Sequence, residues 1–134
     1  MDEGDRERYR KEVLSLSERL AGAGDDDNNA VWEVYAGTEK LIAILRFRLD
    51  YETPGVFFKL PDAGDPARLL KDARALLLKA SEEMARGKLV ASIGTLRKAR
   101  NNLRSVLTDK RKSATRADRK ARAPSKPESA ATGK

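Results

Sequence analysis

Arg97, Arg100, Arg104 and Arg111 stand three, four and seven residues apart. On a helix that spacing sets guanidinium groups along one flank, in line with the backbone of a polyanion. Lys110, Lys112, Arg116, Arg119, Lys120 and Arg122 carry the positive charge on toward the C-terminus. Guanidinium groups pair with phosphate oxygens, and each phosphate neutralised releases counterions. The helical row has two readings. It is a ladder of phosphate contacts, or Arg100, which falls within the apolar stripe of its helix, pairs with Glu39 or Glu82 of a neighbouring helix while the others form a solvated face. The run beyond the row is read as anion-binding, because near-pure positive charge repels itself. It has no aromatic residue on which unpaired bases could stack, so binding of low sequence specificity is expected.

Other chemistries are excluded by composition. The chain contains no histidine and no cysteine. Zinc sites of the usual kinds, Ser-His-Asp and Cys-His catalysis and the commonest general base are therefore unavailable. No phosphate-cradling Gly-rich motif occurs; Gly64-Asp65-Pro66 reads as a turn and a helix cap. Asp25, Asp27 and Asn29 match the first three ligand positions of a calcium-binding loop, but its sixth position is Ala30 and its twelfth Ala36, where Gly and Glu are needed. The acidic run is read as a solvated linker. Carboxylates such as Glu39, Asp50, Glu52, Glu82 and Glu83 remain, without histidine to complete a di-iron pattern. The expectation is a protein that is not an enzyme and uses no metal or cofactor.

Charge is unevenly placed. Residues 1–87 carry 14 Lys and Arg against 18 Asp and Glu, a net −4, whereas residues 88–134 carry 14 against 3, a net +11. A basic end on an acidic body calls for an anionic partner: DNA or RNA, an acidic protein face or a phospholipid surface. With 37% charged and 5% aromatic residues, the chain suits an aliphatic core inside charged helices.

The elements that must position these residues follow from periodicity. Val31, Val34, Tyr35, Thr38, Leu41, Ile42, Leu45 and Leu49 recur at steps of three and four, which predicts a long helix over about 30–52. Asn28 or Asn29 is the expected cap and Thr53-Pro54-Gly55 the expected stop. A second apolar face, Trp32, Ala36, Ala43 and Phe47, predicts contact with more than one neighbour, so this helix is expected at the centre of the fold. Trp32 is read as filling the core or a protein interface in preference to stacking a base. Glu33, Glu39, Lys40, Arg46, Arg48 and Asp50 argue against a membrane span.

Before it, Tyr9, Val13, Leu16 and Leu20 predict a helix over about 5–21 covering one side of the central helix, with residues 1–4 frayed. After it, Val56, Phe57, Phe58 and Leu60 form a short apolar run, read as a plug over the bundle end or as an exposed docking loop. Asp65-Pro66 opens a third helix, 66–86, and Gly87 ends it. A fourth, 88–112, follows so closely that the two must form an antiparallel hairpin. Residues 113–134 lack any large apolar side chain, which predicts a disordered basic tail.

In that hairpin, Ala73, Leu77, Ala80, Gly87, Ala91, Ile93, Leu96 and Ala99 resemble the small-and-large pattern of tetratricopeptide-type hairpins or the helical pair of HEPN domains. There is no second copy at the 34-residue period, and the histidine motif of HEPN ribonucleases has no match. No family follows from it.

The chain is thus expected to be all-α: a three- to four-helix bundle with a long central helix and an antiparallel C-terminal hairpin, one domain over 1–112, and a basic tail. The expected function is non-specific nucleic-acid binding by the C-terminal helix and tail. The alternative is a helical adaptor or subunit that meets a protein partner or a second copy through Trp32, Phe47, Phe57 and Phe58. With no signal segment visible and no cysteine, a cytoplasmic location is expected.

Overall fold

Three aspartates start three helices. Asp2 accepts a hydrogen bond from the Asp5 N–H at 2.8 Å, Asp27 from Ala30 at 3.1 Å and Asp65 from Ala67 at 3.2 Å. Each satisfies a donor that the first turn leaves without an intrahelical partner. In the computed structural model of the chain, residues 1–23, 27–51 and 65–122 are described, with side chains as far as Thr108. Four helices, α1 (Glu3–Ala21), α2 (Asn28–Arg48), α3 (Pro66–Ala85) and α4 (Leu89–Arg122), make up the described structure, with no strand among the described residues.

Several boundaries differ from expectation. Because Asp2 caps α1, the helix starts at Glu3, two residues before its expected start. Asp27, not an asparagine, caps α2. That helix stops at Arg48, ahead of Thr53-Pro54-Gly55, because Asp50 adopts a left-handed conformation with φ 50°. The Tyr51 N–H then donates to the Arg46 carbonyl at 2.9 Å and the Asp50 N–H to that of Phe47 at 3.3 Å. This closure normally falls to glycine, and aspartate tolerates it better than most residues. Gly87, φ 75°, ends α3 in the same way: Lys88 donates to the Glu83 carbonyl at 2.8 Å and Gly87 to that of Met84 at 3.0 Å. The backbone of α4 continues to Arg122, ten residues past its expected end, through a stretch rich in Ala, Arg and Lys, which favour helix without any packing. Residues 123–134 lie outside those described, as do Val56, Phe57, Phe58 and Leu60.

The helices occupy the corners of a square. α1 touches α2 and α3, and α4 touches α2 and α3, while α1 and α4, like α2 and α3, are diagonal. The Arg19–Glu33 and Arg48–Asp5 pairs make α1 and α2 antiparallel. Leu20 and Ala21 of α1 share a cleft with Ala67 and Leu70 of α3, so these two are antiparallel as well. α2 and α3 therefore run the same way on opposite corners. Tyr51 and Asp65 therefore lie at opposite ends of the bundle.

Val13, Val31, Val34, Leu41, Leu45, Leu77, Met84, Ile93, Leu96, Leu103 and Val106 fill the middle and are fully buried. Each large aliphatic side chain enclosed this way contributes about 1.5–3 kcal/mol relative to exposure. Buried hydroxyls are satisfied locally: Thr38 donates to the Val34 carbonyl at 2.7 Å and Ser92 to that of Leu89 at 2.6 Å. Between α1 and α2, Gly37 lies against Leu16. α3 and α4 pack together as the expected hairpin, and theirs is the most extensive interface. α2 meets two neighbours, α1 and α4, but so does every helix of the four, so it is not central. Its second face stays largely exposed, Trp32 at 55% and Phe47 at 86%. α1, for its part, packs more extensively on α3 than on α2. No described helix is long and apolar enough to cross a membrane.

Candidate functional site

The arginine row is divided by burial. Arg100 lies in the apolar stripe of α4, and its side chain is 7% exposed. Its Nη1 donates to Glu39 Oε1 of α2 at 2.9 Å, and its Nε and Nη2 to Asn101 Oδ1 at 3.3 and 3.2 Å. It belongs to the seam between α2 and α4, so its place among the phosphate-contacting residues is withdrawn. Arg97 is half-buried and Arg104 exposed. They are seven residues apart, two turns, on the flank of α4 beside α2. Asn101 and Thr108 share that flank, since the four positions step by four, three and four.

At one end of this flank the surface is hollowed. Trp32 and Tyr35 of α2 and Arg104, Leu107 and Thr108 of α4 line an open cleft of about 350 Å³. The rings of Trp32 and Tyr35 meet edge to face, 5.7 Å between centroids and 87° between planes. The two aromatic surfaces form a corner on one side, with a guanidinium and a hydroxyl on the other. Such a set can hold a planar ring by stacking and an attached anionic group by charge-assisted hydrogen bonds. It offers no paired nucleophile and base, and no group of three metal-ligating side chains occurs among the described residues.

Sequence reasoning placed Trp32 and Arg104 in different candidate sites, one for protein and one for anions; the fold puts both in one cleft. Tyr35, read as part of the apolar stripe, does pack against the core, as Leu107 does, and both also line the cleft; Thr108 was not singled out. The signal for Tyr35 was its spacing of three from Trp32, which puts the two rings on adjoining faces of one turn. Phe47 is not brought to the cleft: it lies 15 residues along α2 from Trp32, near the other end of the bundle. Lys110, Arg111, Lys112, Arg116, Arg119, Lys120 and Arg122 lie on the part of α4 whose side chains are outside those described.

A second cluster also lay outside sequence reasoning. The buried Tyr9 phenol accepts from Arg48 Nη1 and from Arg8 Nη2, each at 3.0 Å, and Arg48 in turn donates to Asp5 Oδ2 at 2.8 Å. The hydrogen bond from Arg48 pulls the phenol below its ordinary pKa, against the opposing effect of burial, and Arg8 adds to it. On the α1–α2 seam the Arg19 guanidinium holds the Glu33 carboxyl below its usual range in the same manner.

No protein-family model, curated protein or solved structure matches the chain.

Proposed function

We propose that this protein binds nucleic acid without catalysis and with low sequence specificity, through phosphate contacts made by α4 and the basic residues that follow. The supporting observation is that Arg97 and Arg104 share one flank of the helix that continues into the run from Lys110 to Arg122, within a segment of net charge +11. Residues 113–134 act in this reading as a basic arm to a single helical domain, and the protein works in the cytoplasm.

A salt titration of binding to generic duplex and single strands tests it. Log affinity falls linearly with log salt, with a slope of about −0.9 per phosphate neutralised on duplex. Replacing Lys110, Arg111, Lys112, Arg116, Arg119, Lys120 and Arg122 by Gln in the full chain flattens the slope. Absence of binding at low salt overturns the proposal.

A second reading, a helical adaptor or subunit, draws on a different observation: Phe47 is 86% exposed on a face of α2 that no described helix covers. Binding to a protein partner through that face is nearly independent of salt and is lost in Phe47→Ser.

A further inference from the structure

We propose that the cleft between α2 and α4 is a stacking site for an unpaired nucleobase, which makes single-stranded nucleic acid the preferred ligand. This inference rests on the phosphate-binding reading above and gives it a substrate class. Trp32 is a large aromatic side chain left 55% exposed, and of the exposed large apolar side chains among the described residues, which include Phe47, Leu78 and Val90, it is the one that lines this cleft. Its ring lines a hollow, not a flat face, and Tyr35 closes the hollow at nearly a right angle. The opposite wall is Arg104, Leu107 and Thr108.

A nucleotide presents a flat ring joined through its sugar to a phosphate. The aromatic corner suits the first and the Arg104 wall the second. Arg97 lies about 10 Å further along the same helix, within reach of another phosphate of the same strand. In a duplex the base faces are stacked on each other and only their edges are presented in the grooves, so the corner has nothing to receive. A single strand offers its base faces, and aromatic platforms beside a positive groove are a general means of holding one. The cations beside the cleft, continued in the run after Thr108, favour this ligand over a basic or neutral peptide.

Trp32 is the only tryptophan, so its fluorescence reports on this cleft alone. The full chain is titrated at fixed salt with an oligothymidylate of about 12 nucleotides and with a duplex of equal length, in the range of single-strand site sizes. The single strand quenches the emission and the duplex does not. Trp32→Ala lowers the ratio of single-strand to duplex affinity by about 5- to 150-fold, the effect of one stacked base, and Trp32→Phe restores most of it. Trp32 is exposed, so the alanine variant keeps its helical circular dichroism; Arg104→Gln provides a second variant that lowers the same ratio. Emission unchanged by the single strand, or a ratio unaltered in Trp32→Ala, overturns the stacking site while leaving salt-dependent phosphate binding intact. Emission that shifts with protein concentration alone means that a second copy covers the cleft, and also overturns it. Failure of both strands to bind at low salt overturns the phosphate reading as well.

Discussion

Arg100 and Glu39 meet at 2.9 Å across the α2–α4 seam as unequal partners, the guanidinium 7% exposed and the carboxylate 41%. The enclosed half is the cation. Removing the carboxylate takes the opposite charge from an enclosed guanidinium that keeps its hydrogen bonds to Asn101, whereas removing the guanidinium leaves a carboxylate that water can solvate. Glu39→Ala is therefore expected to destabilise by about 1–3 kcal/mol and Arg100→Met by under about 1 kcal/mol. Urea denaturation of the two variants checks the order. In the binding assay, Arg97→Gln and Arg104→Gln each reduce the salt slope by about 1, and Arg100→Met leaves it unchanged.

Gly94 sits on the exposed face of α4, and a methyl group added there would meet nothing within 4 Å. Its cost is one of backbone freedom alone. Gly94→Ala should stabilise the protein by about 0.5–1 kcal/mol, read as a rise in Tm of about 2–4 °C.

Gly37 behaves differently. A methyl group there would come to 2.7 Å from Leu16 Cδ2 and 3.2 Å from Cδ1. The gain in helix propensity and the collision oppose each other. In a Leu16→Ala background the collision disappears, and Gly37→Ala becomes stabilising by about 0.5–1 kcal/mol. A double-mutant cycle measures this; strict additivity of the two substitutions would show that the α1–α2 approach is not set by this contact.

Tyr9 should titrate early. Its phenol is lowered from 10.0, first by the hydrogen bond from Arg48. A group whose pKa is depressed by folding adds stability that is complete above the unfolded pKa and is lost as pH falls through the folded one. The native state therefore gains stability relative to Tyr9→Phe as pH rises from neutrality toward 10, and no such gain appears at pH 7. Ultraviolet titration of tyrosinate shows the early component, and Arg48→Gln moves it upward.

Local signals were legible where one residue type has one good use. Asp65-Pro66 and Gly87 bracket α3 to within a residue, because a cap, a fixed φ and a left-handed turn are each nearly residue-specific. Arg100 was readable as a buried cation within an apolar stripe, and Glu39 as one of two partners for it. The surroundings of α2 were not legible. An apolar stripe such as Trp32, Ala36, Ala43 and Phe47 states that a face is apolar and leaves open whether the same chain covers it. Nor does periodicity give the order of helices around the square, which decides that Trp32 stands beside Arg104. Asp2 and Asp50 were passed over because aspartate is common in solvated segments, and only its backbone setting reveals a cap or a left-handed turn.

Leu107 and Thr108 line the cleft and also stand at the root of the basic run, since α4 passes through them and goes on as helix to Arg122. Under the proposed reading, a strand gripped by that run would already be tethered at the mouth of the cleft. Its next encounter with Trp32 is then intramolecular, at an effective concentration that short tethers bring to the order of millimolar. The two proposed contacts would then act as a chelate. Their combined affinity then depends on the length of strand between them as much as on either contact.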